Sequence, residues 1–79
     1  MMEQKIKKYK HITMWFDGDR MHNGKPVYGV YNNKSKESLG TIYFEKNWKE
    51  YVLTLESDNV IMSVSCLQDV INFIENEIE

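Results

Sequence analysis

The chain is 79 residues long, carries a formal net charge of −2 and contains a single cysteine, and 42% of its residues are hydrophobic. A chain of this length forms one domain with a thin core, and one cysteine excludes an intrachain disulfide. No apolar run approaches the ~20 residues that span a bilayer, and no basic stripe is present, so we expect neither a membrane protein nor a general nucleic-acid binder. Residues 1–10 are charged and lack the apolar segment of a signal peptide, so we expect a single cytoplasmic domain over residues 1–79.

Alternating apolar and polar residues predict the first strand, because a period of two is typical of a half-buried strand. The residues on its apolar side are Ile12, Met14 and Phe16. Residues 17–19, Asp-Gly-Asp, are expected to end this strand, and a polar loop is expected to follow. Proline is tolerated at the start of a strand and not in its centre, so Pro26 predicts a second strand that begins at Val27.

Further strands are predicted beyond a polar hairpin loop over residues 32–38. The third strand covers residues 39–45, and the fourth begins at about Trp48 and ends at Glu56. A short fifth strand is expected over residues 60–64, after a polar turn. The pattern therefore indicates an antiparallel sheet of four to five strands.

The last segment changes to a helical period. Its apolar residues recur at steps of three and four, and they are Leu67, Val70, Ile71, Ile74 and Ile78. Ser65 is the predicted N-cap, since Gln68 follows at the spacing of a capping box. Together with the strands, this helix predicts an α+β fold in which one C-terminal amphipathic helix packs on an antiparallel sheet.

Residue types that support catalysis or metal binding are few. The chain has two histidines, His11 and His22, and neither stands at a spacing that would bring it to Cys66. A nucleophile needs a base within hydrogen-bond reach, so we expect no enzyme. Two histidines and one cysteine cannot form a closed tetrahedral shell, and we expect no metal and no cofactor.

An aromatic surface is the most informative constellation. If the helix covers the Ile42 side of the sheet, Tyr43 lies on the other side, where Trp15 and either Tyr28 or Tyr31 are expected to join it. The candidate residues for binding a ligand or partner are Trp15, Arg20, Tyr28, Tyr43 and Trp48. Aromatic rings beside a cation can stack a nucleobase or contact a partner's side chain. The alternative is that these rings form cross-strand packing pairs.

Four blocks of sequence carry a resemblance. They cover residues 28–35, 39–44, 48–53 and 66–74, and contain Leu-Gly-x-Ile, Trp-x-x-Tyr and Cys-Leu-x-Asp in that order. The chain resembles a group of short, uncharacterised phage and prophage-type bacterial proteins with the pattern L-G-x-I, W-x-x-Y and C-L-x-D-I-x-x-F-I. It departs from the group at residues 43–44, where Tyr-Phe replaces the usual Trp-Tyr.

The resemblance implies a viral or mobile-element origin. Small non-enzymatic phage proteins often antagonise host defences in the host cytosol, by binding a host protein or by sequestering a nucleotide signal. Two alternatives stay open: a structural or regulatory subunit without a ligand, and an acidic mimic of nucleic acid built on residues 75–79. The thin core and the many aromatic residues also predict a homo-oligomer that buries Trp15 or Tyr43 between subunits.

Overall fold

The computed structural model describes residues 6–78, with only the backbone described for residues 17–20. These residues form a five-stranded antiparallel sheet in the order β1-β2-β3-β4-β5, followed by one helix. The strands are β1 (Ile6–Lys8), β2 (Ile12–His22), β3 (Lys25–Asn32), β4 (Ser38–Glu45) and β5 (Glu50–Leu55). The helix α1 (Val64–Phe73) continues as a π-helical segment, Ile74–Ile78. The predicted α+β fold is confirmed.

The β2–β3 hairpin is longer than the sequence indicated. Residues 17–19 do not end β2, and the ladder passes from Asp17 opposite Val27 to Met21 opposite Pro26. Residues 18–20 therefore form a bulge in the ladder, and the Asp-Gly-Asp sequence does not form a turn. Pro26 is accommodated next to this bulge, and β3 begins at Lys25, two residues earlier than predicted.

The hairpin turns at Asn23 and Gly24, which connect β2 to β3 as a two-residue loop. Their φ angles are +53° and +75°. Positive φ at both central residues is what the common two-residue hairpin turn requires, and Asn-Gly is the favoured pair for it.

Two other strand predictions are wrong. β5 begins at Glu50, and Trp48 lies in the turn between β4 and β5, where Lys49 has a positive φ of 56°. Residues 60–63 form no strand, because this segment leads directly into α1. The fifth strand of the sheet is instead β1, which pairs with β2.

Helix α1 begins two residues before its predicted start. The hydroxyl of Ser63, not of Ser65, accepts a hydrogen bond of 3.2 Å from the backbone N–H of Cys66, as an N-cap does. The buried face of the helix also differs from the predicted one and consists of Cys66, Val70 and Phe73. The apolar residues of α1 cover more than half of its circumference, so their period alone does not select the face that packs on the sheet.

The core lies between α1 and one face of the sheet. Phe73 is fully buried at its centre, and its ring contacts the Tyr28 ring edge-to-face at 5.2 Å. The sheet contributes the buried side chains Ile12, Met14, Phe16, Tyr28, Val30 and Ile42. Among the residues that the structure describes, no helix lies on the other face of the sheet. Within residues 6–78, neither helical segment combines the length and the apolar character that crossing a bilayer requires.

Candidate functional site

The face of the sheet opposite α1, here called the helix-free face, is formed by the side chains that alternate with the core residues. By the register of the sheet, it includes Ile6, Thr13, Trp15, Val27, Gly29, Tyr31, Thr41, Tyr43, Val52 and Thr54, together with the charged residues Lys8, Glu45 and Glu50. Two concave regions lie on this face at opposite ends of the strands. They differ in the side chains that line them.

Trp15 and Tyr31 form one aromatic pair on the helix-free face. Their ring centroids are 6.2 Å apart and their planes meet at 70°, which is an edge-to-face arrangement. Trp15 is 43% exposed and Tyr31 36% exposed. Both rings therefore keep a substantial part of their surface available to a ligand.

Gly29 determines where the Tyr31 ring lies. Trp15 stands directly opposite Gly29 in the β2–β3 ladder, and the ring of Tyr31 folds over the glycine. A Cβ atom at position 29 would come within 2.7 Å of Cε2 of Tyr31. The missing side chain thus makes room for the ring beside Trp15.

A pocket of about 360 Å³ opens beside this aromatic pair. It is called the Trp15 pocket below, and it is lined by Thr13, Trp15, Tyr31, Asn32, Asn33 and Lys36. Its walls combine two aromatic rings with amide groups and one cationic side chain. This combination suits a planar ligand that carries negative charge.

Hydrogen bonds fix Asn33 at the base of the Trp15 pocket. Its Nδ2 donates to the carbonyl oxygen of Tyr9 at 2.8 Å, and its Oδ1 accepts a hydrogen bond from the Thr13 hydroxyl. These contacts join the β3–β4 turn to β2 and to the β1–β2 turn. A wall of the pocket is therefore held in place before any ligand binds.

The β3–β4 turn positions Lys36 at the rim of the pocket. Oδ1 of Asn32 accepts hydrogen bonds from the backbone N–H groups of Lys34 and Ser35, at 2.8 and 3.0 Å. The backbone N–H of Lys36 donates to the carbonyl of Asn32 at 2.8 Å, and Lys36 has a positive φ of 65°. The side chain of Lys36 therefore leaves a turn in which the backbone N–H groups of residues 33–37 all donate hydrogen bonds.

The second concave region has a volume of about 260 Å³ and is lined by His22, Val27, Thr41, Tyr43 and Thr54. The rings of His22 and Tyr43 meet edge-to-face at 4.7 Å, and Val27 beneath them is buried. Here the aromatic rings pack on one another over an aliphatic side chain, which is the cross-strand packing weighed as an alternative.

The candidate residues do not form one site. Trp15 and Tyr43 both lie on the helix-free face, but in different concave regions. The prediction that Tyr28 belongs to the binding surface is wrong. Tyr28 is 6% exposed and packs in the core, and the ring beside Trp15 is that of Tyr31. Trp48 lines neither region and is 70% exposed in the β4–β5 turn. The side chain of Arg20 lies outside the described part of the structure.

Sequence reasoning left Tyr31 as an alternative to Tyr28, chose Tyr28 as the site candidate, and missed Asn33 and Lys36. Strand β3 is apolar on both faces, so alternation alone did not decide whether Tyr28 or Tyr31 faces the helix. The glycine between the two tyrosines was the available signal, because a large ring often covers a strand glycine on the exposed face.

Groups that could support catalysis or metal binding are placed as follows. Cys66 is buried in the core cluster beneath α1. Among the described residues, no group of three or more His, Cys, Asp or Glu side chains lies close enough to hold a metal ion.

No family model matches the chain, and no curated protein or solved structure matches it either.

Proposed function

We propose that this protein is a non-enzymatic binding module of phage type that accommodates a small nucleotide in the Trp15 pocket, and that it antagonises a host defence by sequestering a nucleotide signal in the host cytosol. The observation that supports it is the Trp15 pocket itself. Two half-exposed aromatic rings stand beside amide groups and Lys36 in one concave site.

Each part of the pocket matches a part of a nucleotide. The exposed face of Trp15 offers a stacking surface for a base, and such stacking contributes ~1–3 kcal/mol per base. Lys36 supplies a positive charge at the rim for a phosphate group. The volume of about 360 Å³ is at the lower end of the range for small-molecule sites, which favours a ligand about as large as one nucleotide.

Direct binding of a host protein is the second candidate, and Trp48 favours it. This side chain is 70% exposed at the β4–β5 turn, and tryptophan is enriched among residues that dominate interface energies. The acidic-mimic alternative has less support, because Glu77 is partly buried and acts on Tyr9 electrostatically. Its carboxylate is therefore turned partly toward the protein.

The test is a fluorescence titration with mononucleotides and cyclic dinucleotides. It uses Trp48→Phe protein, in which Trp15 is the only tryptophan. A nucleotide that stacks on Trp15 quenches its emission. Lys36→Ala in the same background is expected to weaken binding about tenfold, as the loss of a charged hydrogen bond of ~1.5 kcal/mol would.

Lys34→Ala is the matched control, because Lys34 lies in the same turn but does not line the pocket. It should bind nucleotides as the parent does. Quenching by no nucleotide, or equal losses in both lysine variants, would contradict the proposal. Recovery of a chemically altered nucleotide after incubation would contradict the proposal that the protein is not an enzyme.

A further inference from the structure

A row of exposed aliphatic side chains runs along one flank of α1 and the segment before it. This row, called the α1 stripe, consists of Ile61, Val64, Leu67 and Ile71, which are 90%, 71%, 42% and 54% exposed. The last three recur at steps of three and four, so they share one flank of the helix. Leu55 on β5, 49% exposed, adds a further apolar group on the α1 side of the sheet.

The α1 stripe is not part of the core. The buried face of α1 is formed by Cys66, Val70 and Phe73, which point toward the sheet. A monomeric protein rarely exposes a contiguous apolar patch of more than a few hundred Å², and four aliphatic residues in one row approach that size. A partner surface is therefore expected to cover the stripe.

The charges around the stripe indicate which partner that is. Residues 59–74 contain one charged side chain, Asp69. Asp69 is partly buried, and its charge helps to raise the pKa of Tyr9. It therefore lies near Tyr9 and does not belong to the α1 stripe. The exposed polar side chains of this segment are uncharged, namely Asn59, Ser63, Ser65, Gln68 and Asn72, and the charged residues Asp58 and Glu75 flank it at its two ends. In a two-fold contact each group near the axis meets its own copy, so a surface without charge is suited to self-association.

We propose that the α1 stripe is the interface of a homodimer, in which the α1 helices of two copies pack antiparallel about an axis near Leu67 and Gln68. The acidic Glu75 lies about 11 Å along the helix from this axis, because each residue adds 1.5 Å. The two copies of Glu75 are then about 20 Å apart, beyond the ~8 Å screening length at physiological ionic strength.

This interface differs from the one expected on the sequence, which buried Trp15 or Tyr43 between subunits. The α1 stripe and the helix-free face lie on opposite sides of the sheet. The dimer therefore leaves the Trp15 pocket of both copies open. The inference does not depend on what that pocket binds.

Sedimentation velocity at micromolar concentration tests the inference with two charge variants. Leu67→Glu places a carboxylate on the stripe, and Thr54→Glu places the same charge on the helix-free face. We expect the natural chain and Thr54→Glu to sediment as dimers, and Leu67→Glu to sediment as a folded monomer. A monomeric natural chain, or dissociation by Thr54→Glu and not by Leu67→Glu, would overturn the proposal.

Cysteine cross-linking supplies a measurement that does not depend on destabilising the helix. In a Cys66→Ala background, Gln68→Cys should form a disulfide-linked dimer on mild oxidation, because the two copies meet near the axis. Glu75→Cys, on the same helix and equally accessible, should stay uncross-linked. Equal cross-linking at both positions would show random collision and would contradict the antiparallel pairing.

Discussion

The hydroxyl of Tyr9 donates a hydrogen bond of 2.8 Å to the side chain of Asn72, which lies 63 residues further along the chain. This bond joins the β1–β2 turn to the C-terminal half of α1. The Tyr9 ring also packs against the core, and burial raises its pKa, with the charges of Glu77 and Asp69 adding to the effect. The neutral phenol is thus favoured in the folded chain.

Alkaline pH should destabilise the protein through its buried tyrosines. Burial raises the pKa of Tyr28 above the usual 10.0, as it does that of Tyr9. A raised pKa means that the folded chain holds the proton more tightly, so this stability is complete below about pH 10 and is lost as the pH rises through the folded-state pKa. Thermal melts should show a falling midpoint above about pH 10. The double variant Tyr9→Phe, Tyr28→Phe should fall less steeply, and an unchanged slope would contradict this assignment.

Gly29 and Gly40, which both lie in strands, should differ in the stability that they lose on substitution by alanine. At Gly40 a Cβ atom would clash with the backbone carbonyl oxygen of Thr54, so Gly40→Ala should cost about 1–3 kcal/mol of stability. At Gly29 the atom in the way is the tip of the Tyr31 ring, which can rotate aside. Gly29→Ala should therefore change stability by less than about 1 kcal/mol. It should nevertheless displace Tyr31 and weaken nucleotide binding. Urea denaturation and the fluorescence titration would separate the two effects.

Phe73 and Ile71 should differ sharply when truncated. Phe73 is fully buried, and Phe73→Ala should cost about 3–5 kcal/mol, as large core truncations do. Ile71 is 54% exposed, and Ile71→Ala should cost no more than about 0.5 kcal/mol in the monomer. Denaturation at a protein concentration too low for the subunits to associate would check both free-energy changes. Equal losses of stability in the two variants would mean that α1 turns toward the sheet the face that was predicted from the sequence.

The helix cap is tested by a pair of serines. Ser63→Ala removes the acceptor for the Cys66 N–H and should cost about 1 kcal/mol. Ser65→Ala leaves that bond in place and should cost less than about 0.5 kcal/mol. Thermal denaturation of the two variants would compare them directly, and a larger loss for Ser65→Ala would favour the start of the helix predicted from sequence.

Cys66 should act only as a small core side chain. Cys66→Ala removes one buried sulfur atom and should cost about 1 kcal/mol, while nucleotide binding stays as in the natural chain. Stability and titration measurements on this variant would check both statements. Loss of binding in a stably folded Cys66→Ala protein would contradict this purely structural role for the thiol.

The fold class could be predicted because its signals are local. Alternation in Ile12, Met14 and Phe16, and the change to helical period near Leu67, each depend on a few neighbouring residues. The length of β2 could not be predicted in this way. Whether Asp-Gly-Asp forms a turn or a bulge depends on the register of Val27 and Pro26 across the hairpin.

The candidate site was only partly predictable for the same reason. Trp15 alternates along β2 with Met14 and Phe16, whose apolar pattern is clear. The face of the sheet on which Trp15 lies therefore followed from the sequence. Tyr31 and Lys36 depend on the β3–β4 turn and on the space above Gly29, which are relationships between strands. The buried face of α1 was decided by Phe73, whose ring fills the space beside Tyr28.

The strand order has a consequence for how the chain folds. Every strand pairs with the strand next to it in sequence, so the sheet has a low contact order and can form hairpin by hairpin, which favours rapid folding. The apolar face of that sheet, however, is covered by α1 and the π-helical segment after it, which follow all five strands in the sequence. In the interval between formation of the sheet and docking of α1, the side chains of Met14, Val30 and Ile42 are therefore exposed. This interval is when the protein is most prone to aggregate or to require a chaperone.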